Sequence, residues 1–228
     1  MPEPAPALLR LHAISINEVR DLIGADPATR AWAEAEAAVL IPPPVPPRGF
    51  LARLFTRRGT PQPPGPRTHA GPGAGPGPTA VDLDTVLSGR HAPPERAVVG
   101  WRLLDHLAAR RAWGTLELSL DARAIADLDF ALSLGGVPAE AGVGRILRSP
   151  ARLALTPASE VTVGYLPFTA VRQHADLIAA AAIADPSQAQ IARTLAEFLA
   201  HLPDWAAEAE HSGRAAPDVI AFHWAQLG

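Results

Sequence analysis

Hydrophobic and polar positions along the chain predict an alternation of short strands and amphipathic helices. Leu8 to Ile14 alternates loosely, the period of a half-buried strand. Ser15-Ile16-Asn17-Glu18 then has capping-box spacing for a short helix closed by Gly24, and Asp26-Pro27 opens an Ala/Glu-rich helix through Trp32 to about Leu40. Beyond Pro78, a short helix is expected around Asp84 to Ser88, stopped by Gly89. A longer one starts at Pro93-Pro94-Glu95 and runs to about Ala112. On that helix Ala97, Gly100, Trp101, Leu104, Leu107 and Ala108 share an apolar face, while Arg102, His106 and Arg110 point away. Strands are expected at Thr115 to Leu120, Val161 to Leu166 and Asp218 to Trp224. Helices are expected at Asp121 to Leu134, about Thr169 to Ile183, Pro186 to His201 and Asp204 to near Gly213.

This pattern describes an α+β fold, a helix-rich single domain around a small three- to four-stranded sheet. Composition agrees, because 46 of the apolar residues are Ala, which favours helix while contributing little buried area. The domain is interrupted once. Between Pro42 and Pro78, Pro and Gly fill 19 of 37 positions and no acidic residue occurs, a composition that cannot offset the entropy of ordering and is expected to be disordered. Residues 1–41 and 79–228 are therefore read as two parts of one domain around an inserted segment. The segment carries +5 (Arg48, Arg53, Arg57, Arg58, Arg67), which leaves −8 on the other 191 residues.

Several chemistries are excluded by residue type. With no cysteine there is no disulfide, thiolate nucleophile or iron–sulfur ligation, and with Arg as the whole basic complement there is no lysine for a Schiff base or a P-loop. The N-terminus lacks the basic start and apolar run of a signal peptide, and Leu177 to Ala184 is too short to span a bilayer, so a cytoplasmic protein without a transmembrane segment is expected.

The order of elements and several strings resemble a known group. Leu9-Arg10-Leu11-His12-Ala13-Ile14 with Asn17-Glu18-Val19-Arg20, the Trp101-Arg102-Leu103-Leu104 helix, Gly135-Gly136-Val137-Pro138, Gly164-Tyr165-Leu166 and Val219-Ile220-Ala221-Phe222-His223 are similar to a family of uncharacterised actinobacterial proteins. That family is itself reminiscent of the YfbM-like proteins of unknown function. The resemblance covers most of the chain outside 42–78 and implies the fold class. It implies no activity, catalytic residue or cofactor.

Candidate chemistry is sparse. No His pair has the i,i+4 spacing of a helical metal site and His-Glu-x-x-His is absent, so no metal and no cofactor is expected. If the first and last strands pair, His12 and His223 could share a sheet face near Glu18 or Tyr165. His12, Tyr165 and His223 are thus the candidate catalytic or ligand-pocket residues, the alternative being histidines that simply hydrogen-bond in the sheet. Asp82-Leu83-Asp84 has a form that can hold a divalent ion, yet it precedes a short helix where Asp is expected as a cap. Asp127 and Asp129 read as the solvated face of a helix. Gly-x-Ser-x-Gly and a dinucleotide loop are both absent.

The insertion holds the most specific pattern. Coiled as a helix, Phe50, Leu51, Leu54 and Phe55 form an apolar strip flanked by Arg53, Arg57 and Arg58, as in a groove-binding or interfacial segment. The expectation is therefore a non-enzymatic binding or regulatory protein that engages a protein partner, or an anionic surface, through residues 48–58. An enzyme with the His12, Tyr165 and His223 pocket, or a peripheral membrane tether, are the alternatives. Nucleic acid is disfavoured, since five arginines on a net acidic chain leave a small electrostatic footprint.

Overall fold

A computed structural model describes residues 7–41 and 77–225. They form an α+β fold in three layers, with one four-stranded antiparallel sheet between two layers of helices. The strands are β1 (Leu8–Ile14), β2 (Thr115–Leu118), β3 (Val161–Leu166) and β4 (Asp218–Trp224), in the order β2-β1-β4-β3. β1 precedes the 42–76 segment, yet it pairs with β2 and β4, which follow it. The two flanks thus build one sheet.

The pleat sorts the core. Leu9, Leu11 and Ala13 of β1 and Val219 and Ala221 of β4 face one layer, made by α5 (Ala122–Leu134), α6 (Val143–Arg148), α7 (Phe168–Ala179), α8 (Pro186–Ala200) and α9 (Leu202–His211). Ile14, Ile220, Phe222 and Trp224 face the other, made by α1 (Ile16–Asp21), α2 (Pro27–Ala37), α3 (Ala80–Leu87), α4 (Ala97–Arg111) and the 151–158 segment. With a layer on each side, every residue of the central strand β4 is buried.

Local signals explain most helix starts. Asp26 and Asp185 cap α2 and α8 ahead of Pro at the first helical position, and Asp121 caps α5. Several starts differ from the sequence expectation. At α1, Ser15 accepts from the Asn17 amide but Glu18 does not reach back, so the capping box is half formed; Glu18 is drawn into ion pairs described below. At α3, a complete capping box joins Thr79 and Asp82, and the helix starts at Ala80 rather than near Asp84. α6 was not expected at all. Its N-cap is Gly142, and the capping carboxylate comes from a distant residue: Asp129 of α5 accepts from the Val143 and Gly144 amides at 2.7 and 2.9 Å. Asp129 is thus a helix cap and not part of a solvated face.

Asp218, at the start of β4, does the same for two helices at once. It accepts from the first amides of α1 (Ile16, 2.9 Å) and α7 (Phe168, 2.9 Å), tying the two helical layers to the end of one strand. Among the described residues, no helix is long and apolar enough to cross a membrane.

Candidate functional site

α4 lies on the sheet with one charged residue on its apolar face. Asp105 is 1% exposed and accepts three hydrogen bonds: His12 Nε2 on Oδ1 at 2.7 Å, and Arg10 Nη1 and Trp224 Nε1 on Oδ2, each at 2.9 Å. Arg10 and His12 alternate along β1 and so face α4 together. The outer end of each is bound as well, His12 Nδ1 to the Thr115 hydroxyl at 3.1 Å and Arg10 Nε to Glu117 at 2.8 Å, both on β2. Burial pushes the Asp105 carboxyl up, but the His12 hydrogen bond and the charges of His12 and Arg10 outweigh it and hold the group below its usual range. A carboxylate only accepts, so His12 Nε2 carries the proton it donates.

Thr115, His12 and Asp105 form a chain of hydrogen bonds with the composition of a nucleophile–base–acid relay. The His12 ring is fully buried with both nitrogens engaged, while Thr115 lies exposed on the edge strand β2. What the arrangement does chemically is lock β1, β2, β4 and α4 through one desolvated carboxylate.

Register separates the residues that the sequence suggested as a pocket. β1 and β4 do pair, but His12 stands opposite Ile220, and His223 stands opposite Leu9. Side chains alternate faces, so the two histidines lie on opposite sides of the sheet. The expected shared face is corrected by this parity. His223 Nε2 bonds to the Leu120 carbonyl at 3.1 Å, on the α5 side. Tyr165 does share the His12 face, in the row His12, Ile220, Tyr165, with Ile220 between them. Its hydroxyl donates to Asp218 at 3.4 Å, and burial followed by the Asp218 charge pushes its pKa up.

The Asp-x-Asp motif is likewise occupied. Asp82 caps α3 and pairs with Arg96, while Asp84 pairs with Arg90 and, at 2.8 Å, with Arg30. Among the described residues, no three His, Asp or Glu side chains converge as a metal set. Phe50, Leu51, Arg53, Leu54, Phe55, Arg57 and Arg58 lie outside the described residues.

A second polar cluster opens to solvent where α4 ends. Glu18 of α1 is nearly buried and is shared by two guanidiniums: Arg214 binds it through Nε at 2.9 Å and Nη2 at 3.1 Å, and Arg111 reaches it at 3.4 Å. Arg111 also lies over the Trp32 ring, 5.3 Å from its centroid, and Arg214 over Trp113 at 4.4 Å. Arg110, more than half exposed, pairs with Glu36 at 2.6 Å. Trp32, Arg110, Arg111, Ala112, Trp113 and Arg214 line a shallow, solvent-open cleft of about 450 Å³. The Trp113 indole nitrogen is shielded from solvent and has no acceptor among the described residues.

Local sequence builds this cleft. Arg110 and Arg111 fall in the last turn of α4, where cations favour the helix dipole. Gly114 follows because the Trp205 ring lies 2.3 Å from where a Cβ would sit, so only glycine lets the chain turn from Trp113 into β2. Sequence reasoning missed Arg111 and Arg214 because Glu18, Arg111 and Arg214 converge from three distant segments. The adjacent Arg110-Arg111 pair near Trp113 was the available signal.

No protein-family profile, curated protein or solved structure matches the chain.

Proposed function

We propose that the protein is a non-enzymatic, cytoplasmic binding or regulatory protein whose Glu18 cleft receives an acidic segment of a protein partner. One observation carries the reading: a single near-buried carboxylate serves two guanidiniums, each laid on a tryptophan. Arg110, Arg111 and Arg214 against Glu18 and Glu36 leave one positive charge in excess on an otherwise acidic body. Arg and Trp are also the residue types that dominate binding energy at protein interfaces, and planar guanidiniums take carboxylates in bidentate fashion. The catalytic alternative gains no such support, since His12, Tyr165 and His223 are each engaged in holding the fold.

The test is fluorescence anisotropy of a labelled hexaglutamate peptide titrated with the full chain at low and high salt. Saturable, salt-sensitive binding is expected, weakened about tenfold by Arg110→Glu, a charge reversal at an exposed position. The basic 48–58 segment belongs to the same reading as a second contact, so the titration is repeated on a chain lacking 42–76. Binding that survives the deletion belongs to the cleft. Binding wholly lost with the segment, or indifferent to Arg110→Glu, overturns the cleft as the recognition site.

A further inference from the structure

On the same side of the sheet, away from the Glu18 cleft, the 150–158 segment lies along β3 and borders a solvent-open pocket of about 340 Å³. Its lining is apolar: Trp101 of α4, Leu153, Leu155 and Ala158 of the segment, and Val161 and Val163 of β3. Trp101 is fixed from two directions. Its indole nitrogen donates to the Thr156 carbonyl at 2.9 Å, and its ring meets Phe222 edge-on with centroids 6.5 Å apart. The segment is pinned in turn, with the Thr156 hydroxyl on the Ala92 carbonyl at 2.8 Å and the Arg20 guanidinium on the Ala151 carbonyl at 3.4 Å. An anchored segment and a fixed ring keep the space open without a ligand.

One charged residue lines this pocket, Arg152, and no acidic residue does. Arg152 is exposed and makes no hydrogen bond or ion pair among the described residues. Its φ of 50° is the one positive value at a non-glycine position among them, in the left-handed region that an L-residue occupies at a cost. Backbone geometry alone would favour glycine here. A strained, unpaired arginine at an apolar pocket points to use of its side chain.

We infer that this pocket binds a small monocarboxylate with an apolar tail, the tail packed on Trp101, Leu155 and Val163 and the carboxylate paired with Arg152. Apolar walls supply affinity, and the single guanidinium selects an acid over its uncharged counterpart. The site is independent of the Glu18 cleft.

Octanoate and 1-octanol, matched in chain and differing in charge, are the probes, titrated by calorimetry and followed by the Trp101 indole resonance in NMR. The wild-type chain is expected to bind octanoate saturably and more tightly than octanol, with that resonance shifting. Arg152→Gly keeps the left-handed backbone without strain, so the fold is retained; it should weaken octanoate at least tenfold and leave octanol unchanged. Ala158→Phe fills the pocket and should abolish both, its own fold being checked by thermal melting. Absence of saturable octanoate binding overturns the proposal. So does equal affinity for the two probes, or octanoate affinity unchanged in Arg152→Gly.

Discussion

Two carboxylates on the α1–α4 side of the sheet attract the same kinds of partner and meet different fates. Asp105 gathers a histidine, an arginine and a tryptophan N–H, and Glu18 gathers two arginines stacked on tryptophans. Around Asp105, itself 2% exposed, the His12 side chain has no exposure and Arg10 alone reaches solvent, at 31%, whereas around Glu18, at 10%, both arginines do, Arg111 at 32% and Arg214 at 28%. The six residue steps along α4 from Asp105 to Arg111 rise about 9 Å, enough to pass from under the helix to its open end. Beneath α4 the buried His12 and Trp224 donors are held by an acceptor that justifies their burial, so this part of the cluster locks the fold. At the mouth, water competes for the same groups and their partners can exchange. Composition alone does not separate a structural lock from a recognition surface. Solvent access does.

The sharpest way to break the comparison is Asp105→Asn. The amide leaves the buried His12, and Arg10 beside it, without their charged acceptor, and loss of one partner of a buried charge cluster costs about 3 kcal/mol. For a domain of this size the melting temperature should fall by about 10 °C. Thermal melts followed by circular dichroism read this directly, while hexaglutamate affinity measured below the melt should be unchanged. A melt displaced by less than about 2 °C would mean that water satisfies the cluster and that it is not sealed.

Acid should undo the same lock by titration, with a smaller effect. The folded-state pKa of Asp105 is depressed, by His12 and Arg10 acting against burial. Its stabilisation is therefore complete above the unfolded value of about 4 and is lost as pH falls through the lower folded value. The gap in melting temperature between wild type and Asp105→Asn should be constant from neutral pH to about 5 and should narrow below about 4. A gap that stays constant to the acid limit would show that the carboxylate's charge contributes no stability.

Much of this architecture was legible because its signals are local. Asp26-Pro27 and Asp185-Pro186 announce α2 and α8, and alternation announces β1 and β2. What escaped depends on partners distant in sequence. α6 is capped by Asp129, fourteen residues before Val143, so its own Gly142 carries no signal. Of the candidate sites, residues 48–58 lie outside the described residues, and the placing of His12 beside His223 failed on strand parity, which pattern reading does not supply. Yet Asp105 was readable in outline: it lies four residues after Trp101 and three before Ala108, a charge on an apolar stripe. Arg10 and His12, polar at alternate positions of β1, are the matching signal on the strand. Aligning the two predicts a buried ion cluster from sequence.

Glu18→Gln gives the smallest effect and the finest discrimination. The amide keeps the shape and an acceptor for Arg214, whose guanidinium also holds the Arg111 carbonyl at 2.8 Å, and water can reach both arginines. Stability should fall by about 1 kcal/mol, the size of a partly exposed ion pair, shifting the melt by about 3 °C. Binding should move the other way. Removing one negative charge raises the excess in the cleft from one to two and frees Arg111 and Arg214 for an incoming carboxylate, so hexaglutamate should bind several-fold tighter at low salt. A variant that melts lower but binds better is the signature of a carboxylate standing in for a ligand. If affinity instead falls along with stability, Glu18 organises the arginines rather than competing for them, and the two clusters are both locks, one of them merely wet.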